Sequence, residues 1–413
     1  MPQQAKDPIR ATAHAGQVVV WEEIARDGAQ AKTLLSAADR LEIAQLQSSI
    51  FGARGVDHLV FAVGFPAVAP EEHEICRRFV HEAHGLSPTI VCRGRREDVL
   101  QAASIVKDIE HGRIMVIIPA SDQTAAAMTH SSAVEALGGC SEFVKLAKDS
   151  APGVHVDVSL ADVPRGDLGR IAEAASQATS EGAGVAVIND SFGFLTPQAT
   201  TSMWNELTRQ AADDVVYATH FHNDLGLGLA NTLAAVAAGA RVVSSSLLGL
   251  GERAGLTATE QVLYWLAADP RQTQSITGSA QTLWSAALDL HHLPPLCRVT
   301  SERTGVPLNM SHPIVGPGVN SISTGTPFVD PDSFRPFDPE AVLGISGTVV
   351  LTALANLRVI HAVAERLGRK LSDEDARAAL RWVKQTCYEQ TAGTLDDAAF
   401  AAYIGANKLG AAT

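Results

Sequence analysis

The 413-residue chain predicts an α/β fold, a (β/α)8 TIM barrel followed by a smaller, mainly α-helical C-terminal region. Three observations predict it. Eight short runs rich in β-branched residues recur over the first 290 residues; each is separated from the next by a longer amphipathic stretch; and the alternation stops near residue 290. Continuous apolar runs, rather than strictly alternating ones, are what strands covered on both faces require. Eight β/α units in this length suit a closed parallel barrel better than an open sheet.

The eight runs are 17–22 (QVVVWE), 56–63 (VDHLVFAV), 88–92 (PTIVC), 113–118 (RIMVII), 153–159 (GVHVDVS), 183–189 (AGVAVIN), 215–221 (VVYATHF) and 241–248 (RVVSSSLL). Between the first two lies a helix that Ser36 is placed to cap and that Gly52 or Gly55 is placed to end. On this reading the barrel occupies residues 1–290 and a C-terminal lid or subdomain region 291–413. The latter opens with a Pro/Gly-rich stretch over 311–340, a candidate lid or an arm reaching another subunit, and continues with helices near 345–368 and 372–390.

Composition excludes several classes of function. A formal net charge of -13, with no Lys/Arg run interleaved with aromatics, leaves no nucleic-acid footprint. Five scattered cysteines without CxxC spacing give neither a disulfide framework nor a thiolate zinc site, which fits a reducing cytoplasm. The N-terminal residues carry no apolar core of signal-peptide length, and no later run is long enough to span a membrane. A soluble cytoplasmic protein is expected.

The sharpest chemical signal is Thr219-His220-Phe221-His222-Asn223-Asp224 at the end of the seventh run. Side chains two apart on a strand project to one side, so His220 and His222 can offer ring nitrogens to a common point at the barrel mouth, where such folds place their active sites. The pair alone also fits histidines satisfied by backbone groups in a core. Arg26-Asp27-Gly28-Ala29-Gln30 follows the first run, which a closed barrel sets beside the last. Asp27 supplies a hard oxygen ligand and Arg26 a fork of donors for a carboxylate or developing oxyanion, although RDG alone also reads as a surface turn.

With these motifs in place the sequence resembles the DRE-TIM metallolyases, the family of 2-isopropylmalate, homocitrate, citramalate and Re-citrate synthases and of 3-hydroxy-3-methylglutaryl-CoA lyase. The resemblance continues through Gly64-Phe65-Pro66, Ser121-Asp122, Asp162 with Arg165, Asp190-Ser191-Phe192-Gly193-Phe194 with Thr196-Pro197, and Gly249-Leu250-Gly251-Glu252-Arg253-Ala254-Gly255. The last loop lacks the GxGxxG spacing of a dinucleotide site and reads as a mobile loop with backbone N–H groups available to an anion. Pro313-Ile314-Val315-Gly316 and Asp338-Pro339-Glu340 look like the C-terminal subdomains of the synthase branch. No regulatory domain controlled by leucine is expected after residue 413.

The resemblance implies one divalent ion (Zn, Mn, Mg, Fe or Co) on Asp27, His220 and His222, an acyl-CoA co-substrate, a 2-oxo acid partner and a homodimer. It implies a Claisen-type condensation of acetyl-CoA or another acyl-CoA with the oxo acid, giving an alkylmalate- or homocitrate-like product; carbon–carbon lysis of a related acid and a non-catalytic relative are the alternatives. Arg26, Asp162 and Glu252 are the catalytic candidates, and Arg26, Gln30, Arg165 and Ser191 the substrate-binding ones. Four family positions are altered here: its acids fall on Ala62 and Ala161, an asparagine on Leu256 and a C-terminal histidine on Pro327. An alkyl group neither coordinates a cation nor moves a proton. Asp157, Asp122, His130 and His312 therefore join Asp162 and Glu252 as substitute bases.

Overall fold

A computed structural model describes residues 6–324, 327, 330–390 and 393–412. It divides into two compact units, Met1–Leu308 and Asn309–Thr413. All eight anticipated runs form strands: β1 Val19–Glu22, β2 Leu59–Gly64, β3 Ser87–Arg93, β4 Arg113–Pro119, β5 His155–Ala161, β6 Ala183–Asp190, β7 Tyr217–Phe221 and β8 Val242–Ser245. They pair in sequence order and close into a barrel, with Val19 abreast of Val242 and Val20 abreast of Leu59. Nearly every strand residue is buried, which explains why the runs read as continuously apolar. Val19, Trp21, Val60, Ala62, Val91, Met115, Val187 and Ala218 fill the barrel interior.

Local signals place the helices. Ser36 accepts from the Asp39 N–H while Asp39 reaches back to the Ser36 backbone, a complete capping box that starts the helix Ala37–Phe51. Gly52, at φ 57°, ends it, whereas Gly55 opens the next short helix instead. The five cysteines are buried and unpaired, and no helix among the described residues is long and apolar enough to cross a membrane.

A buried ionic cluster closes the N-terminal end of the barrel. Arg113, wholly enclosed, donates to Asp157 at 2.7 and 2.9 Å and to Asp7 at 2.7 and 3.0 Å. Asp7 also caps the helix Pro8–His14, so one carboxylate ties that helix to the barrel floor. This overturns the expectation for Asp157: it lies near the start of β5, locked to Arg113, away from the strand ends that form the mouth. Removing one partner of such a buried set strands the other charges. Arg113→Ala is therefore expected to lower unfolding free energy by about 3–5 kcal/mol, measured by urea denaturation.

In the second unit, helices Leu357–Arg366, Asp373–Glu389 and Asp397–Ala406 share a core of Val359, Ile360, Val363, Ala376, Ala379, Val383, Phe400 and Ile404. The first begins at 357 rather than near 345. Thr348–Val349 pairs instead with Ser321–Ile322 as short parallel strands, and Asn356 accepts from the Val359 N–H to start the helix. The third of these helices was not anticipated. Gly325 and Thr326, between Thr324 and Pro327, lie outside the described residues, as do 328 and 329 of the 311–340 stretch.

Candidate active site

Parallel pairing brings the ends of β1, β7 and β8 together at the C-terminal mouth. Asp27, just past β1, is 2% exposed; its Oδ1 accepts the Glu252 backbone N–H at 2.9 Å and its Oδ2 the Arg26 Nη1 donor at 3.0 Å. His220 Nε2 lies 3.7 Å from Asp27 Oδ2, and its Nδ1 meets Ser244 Oγ of β8 at 2.9 Å. His222 completes the cluster: one donor atom from each of Asp27, His220 and His222 lies within 4.8 Å of the others, and all three residues are buried. The two imidazoles meet edge to face, with ring centres 5.3 Å apart.

The electrostatics suit a cation. Burial, reinforced by Arg26, drives the His220 imidazole well below its ordinary range, and burial likewise lowers His222, so the surroundings favour the neutral form of both rings. Burial pushes the Asp27 carboxyl up, but the opposing interactions, Arg26 first among them and the Glu252 N–H included, hold it below the usual carboxylate range. Neutral imidazoles and an ionised carboxylate are the ligand forms a divalent ion takes. His222 Nδ1 is a buried polar atom with no hydrogen-bond partner among the described residues, a nitrogen of the kind a metal ion takes. The residues present fit the group.

The glycine loop after β8 does something other than expected. Glu252 N–H serves an anion of the protein itself, Asp27, and Leu256 N–H bonds back to the Gly249 carbonyl. A Cβ on Gly251 would stand 2.8 Å from Asp27 Oδ1, so glycine is required there by the closeness of approach. The helix that follows starts only at Thr259. Leu256 is buried and bridged to His222.

A second polar group forms around β5 and β6. Asp162, at φ 65°, is fully buried; Arg165 donates to its carboxylate through Nε at 2.8 and 3.0 Å, and the Ser121 hydroxyl donates to it as well. Asp162 N–H donates to Ser191 Oγ at 2.9 Å, and Arg165 stacks 4.0 Å over the exposed Phe192 ring. Arg253, between the Asp224 carboxylate and the Ser191 carbonyl, ties this group to the β8 loop. Sequence reasoning missed Arg253, and also Ser244 and Glu23, which touch His220 and Arg26. Asp122, by contrast, is an exposed residue accepting from Ala133 N–H, and His130 is the left-handed cap of the helix Asp122–Thr129. His312 belongs to the second unit.

Beside Arg26 opens a cavity of about 710 Å³, walled mostly by apolar side chains including Leu35, Phe65, Val68, Ile75 and Ile117. A neighbouring cavity of about 570 Å³ runs along Lys32 and the loop Leu248–Gly255. Gln30 lines both, and Glu252, whose half-exposed carboxylate lies 3.4 Å from Arg253 Nη1, lines the second.

A closed parallel barrel carries a buried cluster of two histidines and one carboxylate at its C-terminal mouth, a candidate metal site. Residues 18–297 match the HMGL-like family, and the chain belongs to it. It is 27% identical over 374 residues to the 2-isopropylmalate synthase of Acidimicrobium ferrooxidans, covering 89% of this chain and 69% of that one. It is also 27% identical over 394 residues to the 2-isopropylmalate synthase of Shouchella clausii, covering 92% and 72%. The HMG-CoA lyase structures from Brucella melitensis and Pseudomonas aeruginosa share the fold, each with a TM-score of 0.55, at 21% and 20% identity. They match 70% of this chain and 99% and 93% of their own lengths.

Proposed function

We propose that the chain catalyses a metal-dependent Claisen-type condensation of an acyl-CoA, acetyl-CoA foremost, with a 2-oxo acid. The observation that carries this reading is the convergence of Asp27, His220 and His222 beside the Arg26 guanidinium at the barrel mouth. A divalent ion held by those three residues supplies Lewis acidity toward a keto oxygen and a template for an adjacent carboxylate. Synthase relatives matched over nine-tenths of the chain support the condensing direction.

The chain's own residues take defined parts. Arg26, bonded to Asp27, offsets negative charge developing on the keto oxygen. Ser191 and Arg165 present a hydroxyl and a guanidinium for the oxo acid's carboxylate, positioned by Asp162, whose oxygens are occupied by Arg165 and Ser121. Glu252 is the accessible carboxylate of the catalytic set and takes the proton from the acyl-CoA. Gln30, between the two cavities, orients the substrates.

The test is a thiol-release assay. Metal-loaded protein, acetyl-CoA and a panel of 2-oxo acids are expected to release free CoA only when an oxo acid is present. Release of an acyl-CoA from a hydroxy acid thioester, without condensation of any oxo acid, would sink the reading.

A further inference from the structure

Along β1 the side chains of Val19 and Trp21 point into the barrel, and the same alternation turns Glu23 inward one step beyond the strand, where its N–H still bonds the Ser245 carbonyl. The register ends with Glu22 abreast of Phe61, and one further step along it would carry Glu23 toward Ala62, a methyl group. The Glu23 carboxylate is 1% exposed. Its Oε2 accepts from Arg26 Nε at 2.7 Å; its Oε1 has no hydrogen-bond partner among the described residues and lies 3.9 Å from His220 Nδ1. A buried carboxylate oxygen left unpaired is costly, so its orientation calls for a compensating interaction.

We propose that Glu23 is a positioning residue for the site, aligning Arg26 through one oxygen and setting the tautomer of His220 through the other. The proposal rests on reading Asp27, His220 and His222 as a metal site. His220 Nδ1 has Ser244 Oγ at 2.9 Å as its hydrogen-bond partner, and a hydroxyl can donate or accept. Glu23 attracts a proton to Nδ1 and Asp27, 3.7 Å from Nε2, attracts one there, so the Glu23 charge fixes the proton on Nδ1 where a metal would take the Nε2 lone pair. With the proton there, the Nε2 lone pair faces Asp27. A carboxylate behind a ligating imidazole raises its basicity and fixes the ring.

Glutamine at position 23 would reverse the local polarity. With its carbonyl retained on Arg26, its NH2 faces His220 and opposes a proton on Nδ1. Metal-stripped wild type, Glu23→Gln and Glu23→Asp are titrated with Mn²⁺ and the free ion is followed by EPR, with melting curves of the metal-free proteins alongside. Binding is expected to weaken about 10–100-fold in E23Q and less in E23D, the scale of loss seen when the outer partner of a metal ligand is removed. Affinity within twofold of wild type in both variants would overturn the proposal and leave the metal site standing. Should wild type bind no Mn²⁺ while remaining folded, the metal-site reading fails and takes the proposal with it. Should E23Q not fold, E23D decides by the same twofold limit.

Discussion

His220→Ala is expected to abolish stoichiometric metal binding and to lower kcat/KM by about 10³-fold or more. The loss corresponds to about 4 kcal/mol, the scale of several kcal/mol of transition-state charge stabilisation that a Lewis acid contributes. The geometry makes this residue the hinge of the cluster. His220 faces Asp27 with one nitrogen and Ser244 with the other, so truncation removes a ligand and leaves the Ser244 hydroxyl without its partner. The protein should still fold, because His220 sits at the open end of the barrel, above the apolar layers of Trp21, Val60, Val91 and Val187. Metal analysis after dialysis, with the thiol-release assay on the same sample, checks both parts. A variant that keeps its metal and its turnover would remove His220 from the ligand set.

Arg26→Lys should separate chemistry from metal binding. The guanidinium spans two carboxylates, donating to Glu23 through Nε and to Asp27 through Nη1. Burial works against its charge, but Glu23 and Asp27 more than restore it, raising its proton affinity above that of an ordinary arginine. An ammonium is a single point of charge and cannot make both bonds in the same plane while also facing a substrate oxygen. The expected outcome is a fall in kcat of about 10²–10³-fold, the effect of removing one oriented donor to a developing oxyanion. Metal affinity should hold within about tenfold, because the ligands remain and Asp27 stays ionised beside a cation. Parallel Mn²⁺ titration and steady-state kinetics read the two effects apart. Equal losses in both would mean that Arg26 serves only to hold Asp27.

The barrel was legible because burial on both faces writes each strand as an apolar run, and the strand ends could be read to within a few residues from VVVWE to RVVSSS. His220 and His222 were legible because two-residue spacing at a strand end has few geometric outcomes. Asp27 followed because closure makes β1 and β8 neighbours. Other features depend on distant partners. Asp157 looked like a free inward carboxylate, and only the fold reveals that Arg113, 44 residues earlier, and Asp7 near the N-terminus occupy it. Asp162 read as an acid–base group until Arg165 and Ser121 were seen to take its oxygens. Glu23 carried a usable signal, an acid on the inward parity of β1, but only barrel closure brings its carboxylate to His220. In the C-terminal unit the residues before 357 read as helix, yet the β-branched run Thr348-Val349-Val350 and the Asn356 cap favour short strands and a later start.

Titration of the metal-stripped 413-residue protein with Mn²⁺ tests the central claim most directly, with Asp27→Ala as the control and a 2-oxo acid present or absent. Asp27, His220 and His222 predict one ion bound per chain, loss of that binding in Asp27→Ala, and tighter binding when the oxo acid is added. A folded wild-type protein that binds no ion, or one whose binding Asp27→Ala leaves unchanged, would contradict the account.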